Sequence, residues 1–125
     1  FATEGFMESL APVARHFGVN VSVVEPGAVA SEFISNVNDL VGDMLDDTDD
    51  PYHALFSAYV ERTKGAFADA QAPAEVGAVI ADLLAAEDPP FRVQTSGRAT
   101  AFAGMKLSDV DGSVVQGATR GWVGG

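Results

Sequence analysis

Gly18-Val19-Asn20-Val21-Ser22-Val23-Val24-Glu25-Pro26-Gly27-Ala28-Val29-Ala30-Ser31 is the stretch that decides how this chain is read. Up to Val24 it is β-branched and almost continuously apolar, a pattern that suits a parallel strand covered on both faces better than a half-solvated antiparallel one. Pro26 cannot donate to a sheet ladder, and Gly27 permits unusual backbone angles or close approach by a ligand. The strand is therefore expected to stop here and open into a loop at its carboxyl end, where ligands bind in open α/β sheets.

Upstream, Phe6, Met7, Leu10, Ala14 and Phe17 recur at helical spacing, Glu4, Glu8 and Arg15 take the other face, and Gly18 stands where a left-handed cap belongs. That pattern predicts a helix packed back onto the strand that follows it. Downstream, residues 32–45 show no sustained period, and long irregular segments in compact domains are often binding loops. Phe33, Val37, Leu40 and Met44 are candidates to line an apolar pocket; stapling of the loop to the domain is an equal alternative.

Asp49 or Asp50 ahead of Pro51 is a helix-start signal, and Tyr52, Leu55, Phe56, Tyr59, Val60, Thr63 and Phe67 trace one face of the helix that follows. A second helix is expected from Pro73 to about Ala86, with Val76, Val79, Ile80, Leu83 and Leu84 inward and no Ser or Thr at its cap. Pro89-Pro90 stop it, and Phe91 to Thr95 reads as a short strand. In the tail, Ala99 to Met105 is a candidate brief helix, Asp111-Gly112 a turn, and Trp122 a residue packed on the body.

The segment Phe1-Ala2-Thr3-Glu4-Gly5-Phe6, with the Pro26-Gly27-Ala28-Val29-Ala30-Ser31 turn, resembles the second half of a short-chain dehydrogenase/reductase. In that family a helix follows a catalytic Tyr-x-x-x-Lys and leads to a strand and a Pro-Gly-x-x-x-Thr-like turn, with Ser31 here in the threonine place. The resemblance is detailed over residues 1–33 and looser in the helix, helix, strand order beyond. It implies an α/β fold: the C-terminal part of a Rossmann-like three-layer αβα arrangement, with only the last two strands of a parallel sheet and their flanking helices. Residues 1–125 would be that incomplete domain, 32–50 a substrate-loop-like segment and 96–125 a C-terminal tail.

The family's remaining machinery is not in these residues. No G-x-G-x-x-G offers bare amides to a pyrophosphate, and the two tyrosines are followed four positions later by Phe56 and Thr63, not lysine. The resemblance thus implies the C-terminal piece of an NAD- or NADP-dependent oxidoreductase acting on a carbonyl or alcohol. Such a piece would hold no catalytic residue of its own and would be inactive alone, without cofactor binding. Pro26 and Gly27 would shape the turn beside the nicotinamide, Val29 would offer backbone groups to the carboxamide, and Ser31 would hydrogen-bond the carboxamide or a phosphate. The alternative is a non-catalytic oligomerisation or binding module derived from the same fold, with Phe1, Phe6, Met7 and Leu10 as its interface.

Composition narrows the field. A net charge of −11 with 7 Lys and Arg argues against nucleic-acid binding, and no run reaches the ~20 apolar residues of a membrane span. With no Cys there is no disulfide framework, which fits a cytoplasmic location. Asp43, Asp46, Asp47, Asp49 and Asp50 lack the ligand order of a calcium loop and read as a solvated, helix-capping run. His16 and His53 have no partner at metal or triad spacing and read as surface or capping residues. A sheet reduced to two strands leaves an open edge, so a homo-oligomer or association with the missing half is expected.

Overall fold

Two short strands, β1 (Val23–Glu25) and β2 (Arg92–Gln94), run parallel in the computed structural model, which describes residues 1–33, 36, 41–42 and 45–123. Val23 pairs with Arg92, Val24 with Val93 and Glu25 with Gln94. Helix α1 (Ala2–His16) leads into β1, and α2 (His53–Phe67) and α3 (Pro73–Ala85) lie in the connection to β2. Helices α4 (Gly97–Ser108) and α5 (Ser113–Arg120) and a 3₁₀ turn (Gly121–Val123) follow. A parallel pair needs a crossover, and α2 and α3 lie within it. The mixture of helices with a parallel pair is compatible with part of a Rossmann-like αβα fold.

The turn from α1 into β1 forms as the glycine signal indicates. Gly18 takes φ 75°, its amide donates to the Arg15 carbonyl at 3.0 Å, and the Val19 amide reaches back to the Ala14 carbonyl at 3.1 Å. These two bonds are those of a Schellman cap. They also show why the strand is shorter than Val19 to Val24: the Val19 amide belongs to the helix cap, and the neighbouring chain upstream of Phe91 is Pro89-Pro90, which has no N–H to extend a ladder. Pairing begins where the Val23 amide meets the Phe91 carbonyl at 2.7 Å, and Ser22 Oγ instead donates to the Pro90 carbonyl.

Several expected inward faces are rotated. On α1 the half-buried residues are Glu4, Met7, Ala11 and Ala14, while Phe6 (65% exposed), Leu10, Val13 and Phe17 (76%) form an exposed stripe. In this orientation Glu4 and Glu8 meet Arg92 of β2. On α2, Phe56, Val60, Thr63 and Phe67 face in and Tyr52, Leu55 and Tyr59 face out; on α3, Val76, Val79 and Leu83 are half-buried and Ile80 and Leu84 exposed.

Burial on both faces of β1 is not reached either, all three of its residues being half-buried. The chain presents 8758 Å² of accessible surface, where a compact monomer of 13.0 kDa presents roughly 6300 Å². Among the described residues only Val60 and Thr95 are buried. Too few elements among the described residues surround the strand pair to close a core over it.

Local chemistry sets the remaining helix ends. The Asp50 carboxylate accepts the Tyr52 amide at 2.7 Å and closes a turn, so α2 begins at His53 and not at Pro51. Pro73 opens α3, and the Glu75 carboxylate accepts the Ala72 amide at 2.8 Å, compensating for the missing hydroxyl cap. Ser96 caps α4, which is longer than Ala99 to Met105, by accepting the Ala99 amide. At the other end of the tail, Gly112 adopts φ 78°, Asp109 and Asp111 accept amides of the first turn of α5, and Trp122 stacks on Phe102 with ring centres 6.3 Å apart. No helix among the described residues is long and apolar enough to cross a membrane.

Candidate functional site

The turn that leaves the carboxyl end of β1 is bridged by Gln71 and lies against the start of α4. The Ala28 carbonyl accepts the Gln71 amide and the Ala30 amide donates to the Gln71 carbonyl, both at 2.9 Å, forming a parallel bridge between Val29 and Gln71. In such a bridge the residues flanking Val29 make the bonds, and the amide groups of Val29 point the other way. Among the described residues neither the N–H nor the C=O of Val29 has a hydrogen-bond partner. The turn thus presents one donor and one acceptor from a single residue, on the side opposite Gln71.

Gln71 is fixed in turn by its side chain. Its Nε2 donates to the Thr95 carbonyl and its Oε1 accepts from Thr95 Oγ1, each at 2.6 Å. Thr95, one of the two buried residues among those described, follows β2 directly, so the end of β2 anchors the turn that follows β1. A reciprocal pair of this kind, with Thr95 buried and Gln71 half-buried, holds the two groups in one relative geometry.

Gly27 does not use its conformational freedom, since among the described residues only Gly18 and Gly112 have positive φ. What it supplies is space. A β-carbon at position 27 would lie 3.0 Å from Ser96 Oγ, 3.8 Å from the Ala99 β-carbon and 4.0 Å from Gln71 Oε1. The glycine lets the turn approach the first turn of α4, which the sequence alone did not indicate.

Ser31 lies beyond the bridge, exposed, in an open hollow lined by Ala30, Ser31, Glu32, Phe33 and Pro73. Phe33 is 69% exposed there, so one of the four candidate pocket residues adjoins Ser31. Val37, Leu40 and Met44 lie outside the described residues. Pro26, Gly27, Val29 and Ser31 therefore occupy one continuous turn from the end of β1 to the rim of the hollow.

On the face of the sheet towards α1, Arg92 gathers three carboxylates. Its guanidinium lies 2.7 Å from Glu4, 3.2 Å from Glu8 and 3.5 Å from Glu25, and the Gln94 amide donates to Glu25. The Arg92 hydrogen bond holds the Glu4 carboxyl below its ordinary range, and Glu4 in return raises the Arg92 guanidinium further. None of the spacing patterns in the sequence pointed to Arg92, Gln71, Thr95 or Ser96. Arg92, Gln71 and Thr95 act across elements far apart in the chain, where their residue types carry no signature, whereas Ser96 is of an ordinary N-cap type.

The histidines sit apart from this turn. His53 Nε2 lies 3.2 Å from the Leu45 carbonyl, and His16 packs edge-on to Phe17. Asp47 and Asp50 accept amides of their own turn, and among the described residues no three metal-ligating side chains converge.

No protein-family model matches the chain. It is 37% identical over 114 residues to human 17-beta-hydroxysteroid dehydrogenase type 1, an alignment covering 90% of the chain and 35% of that protein. Bovine retinol dehydrogenase 8 is 32% identical over 117 residues, covering 91% of the chain and 38% of the relative. A 3-ketodihydrosphingosine reductase of Bacteroides thetaiotaomicron is 31% identical over 96 residues, 75% of the chain and 34% of the relative. The chain spans about a third of the length of these curated relatives.

Proposed function

This chain belongs to the short-chain dehydrogenase/reductase family, and we propose that it supplies the nicotinamide side and the substrate loop of an NAD(P)-dependent oxidoreductase acting on a carbonyl or alcohol. The observation that carries the proposal is the pair of Val29 amide groups without a partner among the described residues, on a turn clamped by Gln71 and Thr95. A carboxamide has one acceptor and one donor group, and the C=O and N–H of a single extended residue complement it without side-chain rearrangement. The exposed Ser31 hydroxyl, two residues on, adds a donor and acceptor at the rim of the hollow. The donor set thus fits a nicotinamide.

The residues of this chain bind and orient. Gln71 and Thr95 hold the Val29 groups in place before a ligand arrives, which lowers the ordering cost of binding. Gly27 keeps the turn close to α4, and Phe33 offers apolar surface beside Ser31. A bound nicotinamide would give or take the hydride. The accompanying proton would be handled by a Tyr-x-x-x-Lys pair, a motif absent from these 125 residues. The relatives' names speak of a hydroxysteroid, a retinol and a ketodihydrosphingosine. We extend that to a bulky, lipophilic alcohol or ketone, with Phe33, Val37, Leu40 and Met44 as its apolar contacts.

The test is absorbance at the reduced-nicotinamide wavelength, using the full-length protein with NADH or NADPH and lipophilic ketones, or the oxidised cofactors with the matching alcohols. Substrate-dependent turnover is expected with one cofactor. No turnover with any of them, in a protein that is folded, argues against the reading.

A second reading is favoured by one observation. The exposed α1 stripe of Phe6, Leu10, Val13 and Phe17 suits a chain used as an oligomerisation module, while Phe1 packs against Lys106 and Met7 is half-buried. It expects an assembly in solution whose size is indifferent to NAD(P) and to substrate.

A further inference from the structure

Arg92 stands where three elements meet. It belongs to β2, its guanidinium reaches Glu4 in the first turn of α1 and Glu8 one turn later, and it also reaches Glu25, the last residue of β1. The pleat explains the meeting: Val23, Glu25, Arg92 and Gln94 share one sheet face by register, so a side chain from β2 and a carboxylate from β1 point at the same helix. Gln94 takes the second oxygen of Glu25, leaving the first for Arg92. The side chains of Arg92, Glu4 and Glu25 are 20%, 24% and 19% exposed, whereas Glu8 is 64% exposed.

Glu25 directly precedes Pro26 and the clamped turn. Its carbonyl also accepts the Thr95 amide, which links it to the residue that fixes Gln71. One guanidinium therefore joins the start of α1 to the end of β1. From these contacts we infer that Arg92 is a positioning residue: it sets the distance between the helix that enters this domain and the turn bearing Val29 and Ser31. The inference rests on the oxidoreductase reading above, in which the proton-transfer pair lies just ahead of α1 and the nicotinamide against the turn. Under that reading Arg92 fixes the relative placement of the two halves of the reaction while touching neither reactant. Arginine suits the task because its planar fork meets several carboxylates at fixed angles, which a lysine ammonium cannot reproduce.

The experiment is steady-state kinetics on the full-length protein carrying R92Q, R92K, E25Q or E8Q, with thermal unfolding of each variant. R92Q is expected to lower kcat by about ten- to a hundredfold while the KM for cofactor changes far less, since misplacement acts on the reacting geometry. R92K restores part of the loss, E25Q falls between R92Q and the wild type, and the exposed partner variant E8Q stays near the wild type. If R92Q does not fold, the R92K and E25Q pair carries the same comparison. A folded R92Q or E25Q with wild-type kcat and only a lowered Tm overturns the inference and leaves the oxidoreductase reading standing. A wild-type protein without turnover removes that reading, and this inference with it.

Discussion

Ser96 Oγ lies 3.0 Å from the point where a β-carbon on Gly27 would stand, so the cap of α4 and the turn after β1 occupy adjoining space. The same oxygen accepts the Ala99 amide at 3.1 Å. G27A forces that hydroxyl aside and weakens the cap, and S96A removes the cap outright, a loss of about 1 kcal/mol. Because both changes act on one hydrogen bond, G27A is expected to destabilise less in an S96A background than in the wild type. Denaturant unfolding of the two single variants and the double variant measures the coupling; simple additivity contradicts it.

Gln71 and Thr95 exchange two side-chain bonds at the base of the same turn. Q71L leaves the buried Thr95 hydroxyl without its acceptor, a destabilisation of about 1–3 kcal/mol. Since Gln71 also bridges Val29 through its main chain, Q71L is expected to raise the KM for cofactor. Parallel measurement of unfolding and cofactor KM checks both effects, and T95V should reproduce their direction.

The Glu4 carboxyl is held below its ordinary value of 4.5, first by the Arg92 hydrogen bond. A carboxyl whose folded value is depressed adds stability that is present above the unfolded value and disappears as pH falls through the folded one. The stability gap between the wild type and E4Q is therefore expected at neutral pH and should close as pH drops below that ordinary value. Urea midpoints from pH 7 downward test this; a gap independent of pH contradicts the Glu4–Arg92 account.

Much of the architecture was legible because its signals are local. Gly18 marked the end of α1, Pro26-Gly27 the end of β1, Pro73 the start of α3 and Asp111-Gly112 a turn. Inward faces were harder to read. Phe6, Leu10 and Phe17 have helical spacing, yet Glu4 is the residue that faces the sheet and meets Arg92, and an ion pair across 88 positions leaves no trace in a periodic pattern. The Gln71–Thr95 clamp was illegible for the same reason. The positions of Pro26, Gly27, Val29 and Ser31 on one turn followed from their adjacency, but the orientation of the Val29 amides depends on a bridge to a distant residue.

Gly18 holds φ 75° with no neighbouring atom within 4 Å of an added β-carbon, so substitution there probes backbone strain without a clash. G18A is expected to destabilise by about 1 kcal/mol and G18N by less, because asparagine tolerates the left-handed region better. Thermal unfolding of both variants checks the order.

The central claim is that the turn from Pro26 to Ser31 receives a nicotinamide. Its most direct measurement is equilibrium titration of the full-length protein with NADH and with NADPH, followed by cofactor fluorescence, for the wild type, S31A and S31T. The wild type and S31T should bind one of the two cofactors alike, with S31A weaker by about tenfold, the equivalent of one hydrogen bond. Binding unchanged in S31A, or none in the folded wild type, would contradict the account.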